Sequence, residues 1–243
     1  MNILVMKDYN EISRQAALLV AASIALKPDL VLGLPTGRTP IQMYKELVLI
    51  YKNGFVNFKR VTTFNLDEYV NLPKNNPSSY YSYMQRYFFR YVNIPRSNIH
   101  IPDGMAKDLI KECERYEALI REKGPIDLMI LGIGHNGHIG FNEPSDEFIP
   151  QTHIEVLTDR TRRANSKYFG SINKVPLKAI TMGLGTIMHS KKIILLASGR
   201  DKAETIHRAV SGNITPQFPA SVLRLHRDCT FIIDKAAASM LRL

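Results

Sequence analysis

The stretch LVLGLPTGRTP (30–40) joins an apolar run of strand length to a turn rich in Pro, Thr and Gly. It follows the apolar run ILVM (3–6) and a helix-length segment at about 9–27, and it precedes a second such segment at about 40–53. Short apolar runs that alternate with helical segments are typical of a parallel sheet with crossover helices. The beginning of the chain therefore predicts an α/β fold.

The same alternation continues to the end of the chain. Four more apolar runs have the length of strands, namely RVTTFNL (60–66), IDLMILGI (126–133), KIILLAS (192–198) and TFIID (230–234). Further helices are predicted at about 78–91, 106–123 and 200–211. Continuously apolar strands are typical of a sheet covered on both faces. Residues 1–243 thus predict a single α/β domain with an open, mostly parallel, doubly wound (Rossmann-like) sheet flanked by helices.

The segment at about 145–181 departs from this alternation. It is polar, has no strong strand pattern, and carries six basic residues: Arg160, Arg162, Arg163, Lys167, Lys174 and Lys178. A long polar excursion of this kind is typical of a lid over a ligand site. We call residues 145–181 the lid segment.

Charge and composition narrow the class of protein. The formal net charge is +10, but the basic residues are dispersed and no helix-turn-helix or zinc-ligand signature accompanies them. We therefore expect a small anionic substrate and no nucleic acid.

No apolar run approaches the ~20 residues of a membrane span. The N-terminus lacks the basic region of a secretory signal, and Cys113 and Cys229 lack metal-ligand spacing, so we expect a cytoplasmic protein with reduced thiols. A homo-oligomer is compatible with this composition.

The turn after the second apolar run is a candidate anion site. Thr39-Pro40 has the pattern of an N-cap followed by the first residue of a helix. Backbone N–H groups and hydroxyls at such a helix start attract anions, and here they belong to Thr36, Gly37, Arg38 and Thr39. A plain strand-to-helix turn explains the motif equally well. The motif lacks the Lys of a Walker loop and the third Gly of a dinucleotide fingerprint, so it does not indicate ATP or NAD.

Two further motifs contain acid/base groups. In FNLDEYVNLP (64–73), Asp67 and Glu68 follow a strand, and adjacent carboxylates raise each other's pKa, which suits a general base. A solvated acidic turn is the more common origin of such a pair.

In LGIGHNGHIGFNEP (131–144), four glycines, two histidines and Glu143 crowd one loop. His138 can exchange protons near neutral pH, although a structural histidine is the alternative. No further ligand at zinc-like spacing accompanies the two histidines, so a metal site is not predicted.

Two separated lysines complete the set of candidates. Lys167 lies in TRRANSKYF (161–169), and Lys202 lies in SGRDKAE (198–204), just after an apolar run. A cation in the first turn of a helix opposes the helix dipole, which suggests an anion nearby. Taken singly, both lysines fit an ordinary solvated surface.

Together these motifs, with VPLKAITMGLGTIM (175–188), resemble the glucosamine-6-phosphate deaminase family over nearly the whole chain. The pairing of LDEY with GHIGFNEP is specific. The resemblance implies a Rossmann-like fold with a lid, an amino sugar phosphate as substrate, the products fructose 6-phosphate and ammonia, and no cofactor. It makes Asp67 the base that moves a proton between C2 and C1, His138 the acid/base that opens the sugar ring, and Glu143 the group that orients His138. It also places the substrate phosphate on residues 36–39, with Lys167 and Lys202 as counter-charges.

Three residues depart from the pattern of the family. Asn136 stands where many relatives have Asp, so the ring-opening site has one carboxylate fewer, although Asn can still hydrogen-bond the imidazole. Arg38 replaces a common Gly, and Lys167 replaces a common Arg. Lys lacks the bidentate fork of Arg, but Arg38 can restore a cation beside the phosphate.

Two other functions remain as alternatives. A 6-phosphogluconolactonase shares the fold and also handles a C6 phosphate, but lactone hydrolysis needs no carbon base such as that predicted in LDEY. A non-catalytic sugar-phosphate sensor would carry a DNA-binding segment, and no such segment is left over in this sequence.

Overall fold

The structure is a computed structural model and describes residues 1–242. In chain order its strands are β1 (Asn2–Met6), β2 (Val31–Leu34), β3 (Thr62–Asn65), β4 (Asp67–Tyr69), β5 (Ile99–His100), β6 (Leu128–Leu131), β7 (His153–Val156), β8 (Lys178–Thr181), β9 (Lys192–Ala197) and β10 (Cys229–Asp234). Its helices are α1 (Tyr9–Leu26), α2 (Ile41–Lys52), α3 (Tyr80–Tyr87), α4 (Leu109–Lys123), α5 (Asp159–Phe169), α6 (Leu184–Met188) and α7 (Ala203–Ser211). No helix among the described residues is long and apolar enough to span a membrane.

Seven strands form one sheet in the order β1-β10-β9-β6-β2-β3-β5, and all neighbouring pairs are parallel. From β2 the chain proceeds through β3 and β5 to one edge, and from β6 it proceeds through β9 and β10 towards the other. The direction of winding therefore reverses between β2 and β6, which opens a crevice at the carboxyl ends of these strands. The predicted Rossmann-like α/β class is confirmed.

Burial of the central strands follows from helices on both faces of the sheet. Every residue of β2, β6 and β10 is buried, whereas β1 at the edge is partly exposed. One apolar cluster packs α1 and α2 on one face, and a second packs residues of α4 and α7 on the other. Alternate side chains of a strand enter opposite clusters, as Leu128 and Met129 do.

The lid segment contains more regular structure than its sequence predicts. Strands β7 and β8 and helix α5 lie within it, and β8 pairs antiparallel with both β7 and β4 to form a second sheet of three strands. The expectation that this segment has no strong strand is therefore wrong. These strands are three or four residues long, and they are stabilised by pairing with partners distant in the chain, which a local pattern does not reveal.

The starts of two helices also differ from the prediction. Helix α2 begins at Ile41, with Pro40 as an N-cap that has helical backbone angles and no side-chain cap. Thr39 is therefore not the N-cap. Helix α4 begins after Asp108, whose side chain accepts hydrogen bonds from the N–H groups of Ile110 and Lys111. Such short polar residues fix the start of a helix by accepting hydrogen bonds from its first free N–H groups.

A buried carboxylate ties the amino-terminal ends of the central strands together. Asp127, which immediately precedes β6, accepts hydrogen bonds from Lys27, from Lys191 at 2.8 Å and from the Val31 N–H at 2.9 Å. Burial raises the pKa of Asp127, but these donors outweigh burial and hold the pKa below its usual value. The three elements that precede β2, β6 and β9 are thereby joined through one side chain.

We expect Asp127→Asn to lower the free energy of unfolding by roughly 1.5–3 kcal/mol at neutral pH, because a hydrogen-bonded charge is lost. A carboxyl group with a lowered pKa stabilises the fold above its unfolded pKa of about 3.9, and this contribution disappears as the pH falls through the folded pKa. The difference between wild type and variant should therefore vanish in acid. Asp29→Asn, which affects an exposed 4.0 Å pair with Arg60, is the control in urea unfolding. Equal effects of the two substitutions would contradict this account.

Candidate active site

A cavity of about 610 Å³ occupies the crevice between the carboxyl ends of β2 and β6. Nine of the ten residues that the sequence singles out line it: Thr36, Gly37, Arg38, Thr39, Asp67, Asn136, His138, Lys167 and Lys202. The tenth, Glu143, is buried behind His138. The turn after β2, the loop after β6, the loop after β9 and helix α5 of the lid segment thus contribute to one site.

The turn after β2 lines the cavity, and most of its carbonyl groups are bonded whereas its amide groups are free within the described chain. Three tyrosine hydroxyls donate to these carbonyls: Tyr44 to Pro35 at 2.5 Å, Tyr83 to Gly37 at 2.6 Å, and Tyr9 to Arg38 or Thr39 at 3.1 and 3.0 Å. The N–H groups of residues 36–39 have no acceptor among the described residues. Gly37 adopts a φ of +94°, which favours glycine. Free amides in such a turn form an anion site.

Asp67 supplies a carboxyl group that no protein donor neutralises. It is 6% exposed, follows β3 at the start of β4, and lines the cavity. Burial raises the pKa of Asp67 well above its ordinary value, and the neighbouring Glu68 raises it further. No hydrogen bond to the Asp67 carboxyl group is found within residues 1–242. A carboxylate with raised proton affinity beside a cavity can act as a general base.

Glu68 has a different task from its neighbour. Its carboxylate accepts hydrogen bonds of 2.9–3.0 Å from the N–H groups of Tyr69, Tyr80 and Tyr81, the last two of which begin α3. Burial raises the pKa of Glu68 to about 7, while these three donors and Lys74 oppose the shift. The adjacent carboxyl groups are therefore not a solvated acidic turn, because Glu68 fastens β4 to α3.

The histidine loop brings a buried carboxylate close to an imidazole. Glu143 Oε2 accepts a 2.6 Å hydrogen bond from Asn136 and lies 3.7 Å from Nδ1 of His138. Burial raises the pKa of Glu143, but His138, Thr161 and Asn136 lower it to about 2. Glu143 is thus an ionised, buried carboxylate beside the imidazole. The expectation that Asn136 bonds the imidazole is wrong, because its Oδ1 accepts from the backbone N–H of His138 at 3.3 Å.

Glycine is required where the histidine loop folds back on itself. A Cβ atom on Gly134 would lie 2.2 Å from Cε1 of His138, so any side chain would displace the ring. The Gly134 N–H also donates to the His138 carbonyl at 2.9 Å. Gly134 therefore permits the close approach of backbone and imidazole, whereas a Cβ on Gly137 would meet the Phe218 ring instead.

Cations without carboxylate partners surround the cavity. Lys202, Lys167, Arg160 and Arg38 all line it, and none forms an ion pair within the described chain. The pKa of Lys202 is lowered to about 8, mainly by burial. Asp201 opposes this shift, whereas the positive charges of Arg160 and Lys167 add to it. Lys202 is held by a 2.8 Å hydrogen bond to the Ile133 carbonyl. Such a cluster is suited to a doubly charged anion.

Several residues of the site carry no signal in the sequence. The tyrosines that hold the turn come from α1, α2 and α3. Their spacing in the sequence predicts only that they belong to helices, not that they bond this turn. Asp234 at the end of β10 accepts hydrogen bonds from Ser198 and Gly199, which shape the loop that bears Lys202.

Among residues 1–242 no cluster of three or more His, Cys, Asp or Glu side chains could hold a metal ion.

Comparisons with known proteins agree with this architecture. The family model of glucosamine-6-phosphate isomerases and 6-phosphogluconolactonases matches residues 9–232. A glucosamine-6-phosphate deaminase of Clostridium botulinum (strain Langeland) is 54% identical over 243 residues, which is all of both chains. One of Halothermothrix orenii is 55% identical over 241 residues, or 99% of this chain and 100% of that one.

Solved structures give the same result. A monomeric glucosamine-6-phosphate deaminase superposes with a TM-score of 0.97 at 47% identity, covering 99% of this chain and 100% of the other. A 6-phosphogluconolactonase of Trypanosoma cruzi shares the fold, with a TM-score of 0.79 at 20% identity over 100% and 97% of the two chains. On the strength of the full-length relatives, the chain belongs to the glucosamine-6-phosphate deaminases within the glucosamine-6-phosphate isomerase/6-phosphogluconolactonase family.

Proposed function

We propose that this chain is a glucosamine-6-phosphate deaminase, which converts glucosamine 6-phosphate and water into fructose 6-phosphate and ammonia. The observation that carries the proposal is Asp67, a buried carboxyl group without a hydrogen-bond partner in a cavity that also holds an acid/base histidine and an anion-binding turn. The reaction requires these three functions in one place. The chain acts as one domain, residues 1–243, with 145–181 as its lid.

The phosphate group binds where the cavity is most positive. Four free N–H groups at residues 36–39 can donate to its oxygens, and Lys167 and Lys202 balance its charge. Arg38 adds a further cation at the rim. Because charge-assisted hydrogen bonds are the strong ones, this end of the site fixes the orientation of the whole sugar.

Ring opening is assigned to His138. The imidazole moves a proton between the hydroxyl at C1 and the ring oxygen, so that the C1–O5 bond breaks and an open-chain aldehyde forms. Glu143, with a pKa of about 2, remains ionised and stabilises the imidazolium when His138 carries the extra proton. This division of labour needs one ionised carboxylate beside one ring that transfers protons.

Asp67 then acts on carbon. Its carboxylate takes the proton from C2, the C2–H electron pair forms a C1=C2 double bond, and the C1=O π pair moves to O1, which takes up a proton to give an enolamine. The amino nitrogen then loses a proton and forms a C2=N double bond, while the C1=C2 pair takes the proton held by Asp67 at C1. The product is an imine at C2, which water hydrolyses to the ketone of fructose 6-phosphate and ammonia. Burial favours this step, because the raised pKa of Asp67 increases its affinity for the proton it accepts.

Ammonia release distinguishes this function from the alternative. We expect ammonia from glucosamine 6-phosphate, measured with a coupled glutamate dehydrogenase assay, and far less from glucosamine, which lacks the phosphate. Hydrolysis of 6-phosphogluconolactone, followed in a pH-stat, should remain at its uncatalysed rate. Rapid lactone hydrolysis without ammonia release would make the chain a lactonase, and binding of sugar phosphates without either reaction would make it a sensor.

Asp67→Asn should retain the affinity for substrate but lose proton transfer at carbon. General-base catalysis is worth about 10²–10⁴-fold, so kcat should fall by this order. The direct measurement is exchange of the C2 hydrogen with deuterated water by NMR. Glu68→Gln is the comparison variant, because it neutralises the neighbouring carboxylate, which bonds only backbone amides. Exchange at a near-normal rate in Asp67→Asn would remove Asp67 from the mechanism.

Lys202→Ala and Lys167→Ala should each raise KM by roughly one to two orders of magnitude, since each loses a charged hydrogen bond of about 1.5–3 kcal/mol. With a pKa lowered to about 8, Lys202 loses its charge as the pH rises above that value, so the wild-type KM should increase there. Lys202→Ala should abolish this part of the pH dependence. Lys174→Ala, on the exposed part of the lid segment, is the control. Unchanged inhibition by inorganic phosphate in both lysine variants would refute the assignment.

A further inference from the structure

Helix α5 touches both ends of the cavity. Its N-cap and first turn contact the buried Glu143 and the partly buried His138, and the helix carries Arg160 in its first turn and Lys167 in its last turn into the lining of the cavity. No other helix of the described chain combines these two roles. The inference that follows rests on the proposed function.

Thr158, the N-cap of α5, connects the helix to the carboxylate. Its Oγ1 accepts the N–H of Thr161 at 3.3 Å and donates its own proton to Oε1 of Glu143 at 3.2 Å. The other carboxylate oxygen, Oε2, is the one that faces Asn136 and His138. Because Glu143 is only 4% exposed, water does not readily replace a lost donor.

Thr161 makes the second connection, to the imidazole. It is 3% exposed, and its Oγ1 lies 3.5 Å from Nδ1 of His138, on the same nitrogen that faces Glu143. The two hydroxyls thus confine the carboxylate and the ring from one side. Neither hydroxyl lies in the motifs that mark the acid/base group in the sequence.

The far end of α5 is also anchored. The Tyr168 carbonyl accepts a 2.7 Å hydrogen bond from Ser78, which precedes α3. An α-helix moves as a unit, because its backbone hydrogen bonds resist local bending. A ligand that pulls on Arg160 and Lys167 therefore also sets the position of the first turn.

We propose that Thr158 and Thr161 are positioning residues through which binding of the substrate phosphate beside α5 holds His138 and Glu143 in the geometry for ring opening. The phosphate draws the cations of α5 towards the turn at residues 36–39, and the hydroxyls of the first turn follow. Ring opening is thereby favoured when a phosphorylated sugar is in place. The mechanism couples recognition at C6 to chemistry at C1.

The kinetic test replaces Thr158. Thr158→Val keeps the branched shape but removes the hydroxyl, and we expect kcat for glucosamine 6-phosphate to fall about tenfold, equivalent to about 1.4 kcal/mol, with little change in KM. Thr158→Ser restores the hydroxyl and should recover most of the rate. Asp108→Ala, which removes the exposed N-cap of α4, controls for the loss of a helix cap. Wild-type kcat in Thr158→Val, failure of Ser to rescue, or an equal loss in Asp108→Ala would overturn the proposal.

A second measurement does not depend on turnover. The ring signals of His138, assigned by NMR with the His138→Gln variant, are followed as inorganic phosphate is added. We expect the phosphate-induced change in wild type to be retained in Asp108→Ala and reduced in both Thr158→Val and Thr161→Val, at unchanged phosphate affinity. An identical response in all variants would refute the coupling. Absence of ammonia release by the wild type would refute the proposed function instead, so the two failures are distinguishable.

Discussion

The reversal of winding between β2 and β6 is the constraint on which the remainder of the site depends. These neighbouring strands send the chain towards opposite edges of the sheet, so no connection covers the crevice at their carboxyl ends. The turn that follows β2 and the glycine-rich loop that follows β6 therefore meet there. The proposed phosphate-binding turn and the loop that bears His138, nearly a hundred residues apart in sequence, line one cavity for this reason.

Burial has opposite consequences for the two carboxyl groups of the proposed mechanism. Asp67 lacks hydrogen-bond donors, so the cost of burying its charge raises its pKa, which suits a base that must accept a proton. Glu143 is buried as well, but a histidine and several hydrogen-bond donors lower its pKa to about 2. The environment thus separates a group that titrates from one that stays charged, as acid/base catalysis requires.

The positive end of the cavity combines the backbone N–H dipoles of one turn with the charged side chains of lysines and arginines. Tyrosine hydroxyls donate to carbonyls of the turn after β2, while the amides of residues 36–39 have no acceptor within the described chain. Of the cations, Arg38 belongs to this turn, Lys202 follows β9, and Arg160 and Lys167 come from α5 in the lid segment. In the proposed mechanism, free amides in the turn and cations on a separate element allow binding of the phosphate to influence the position of that element.

The sequence alone determined the α/β class and the positions of the main strands, because apolar periodicity is visible within short stretches. It also marked the motifs that bear Asp67, His138 and the phosphate turn, because unusual polar residues follow the ends of predicted strands. The specific pairing of LDEY with GHIGFNEP also identified the family. Tertiary structure alone decided that β7 and β8 form a second sheet with β4, that Glu68 caps α3, and that Asn136 bonds Glu143. It likewise brought Tyr9, Tyr83 and Thr158 to the site. Each of these features is a contact between groups far apart in the chain or a choice among hydrogen-bond partners, and a linear pattern does not specify such contacts.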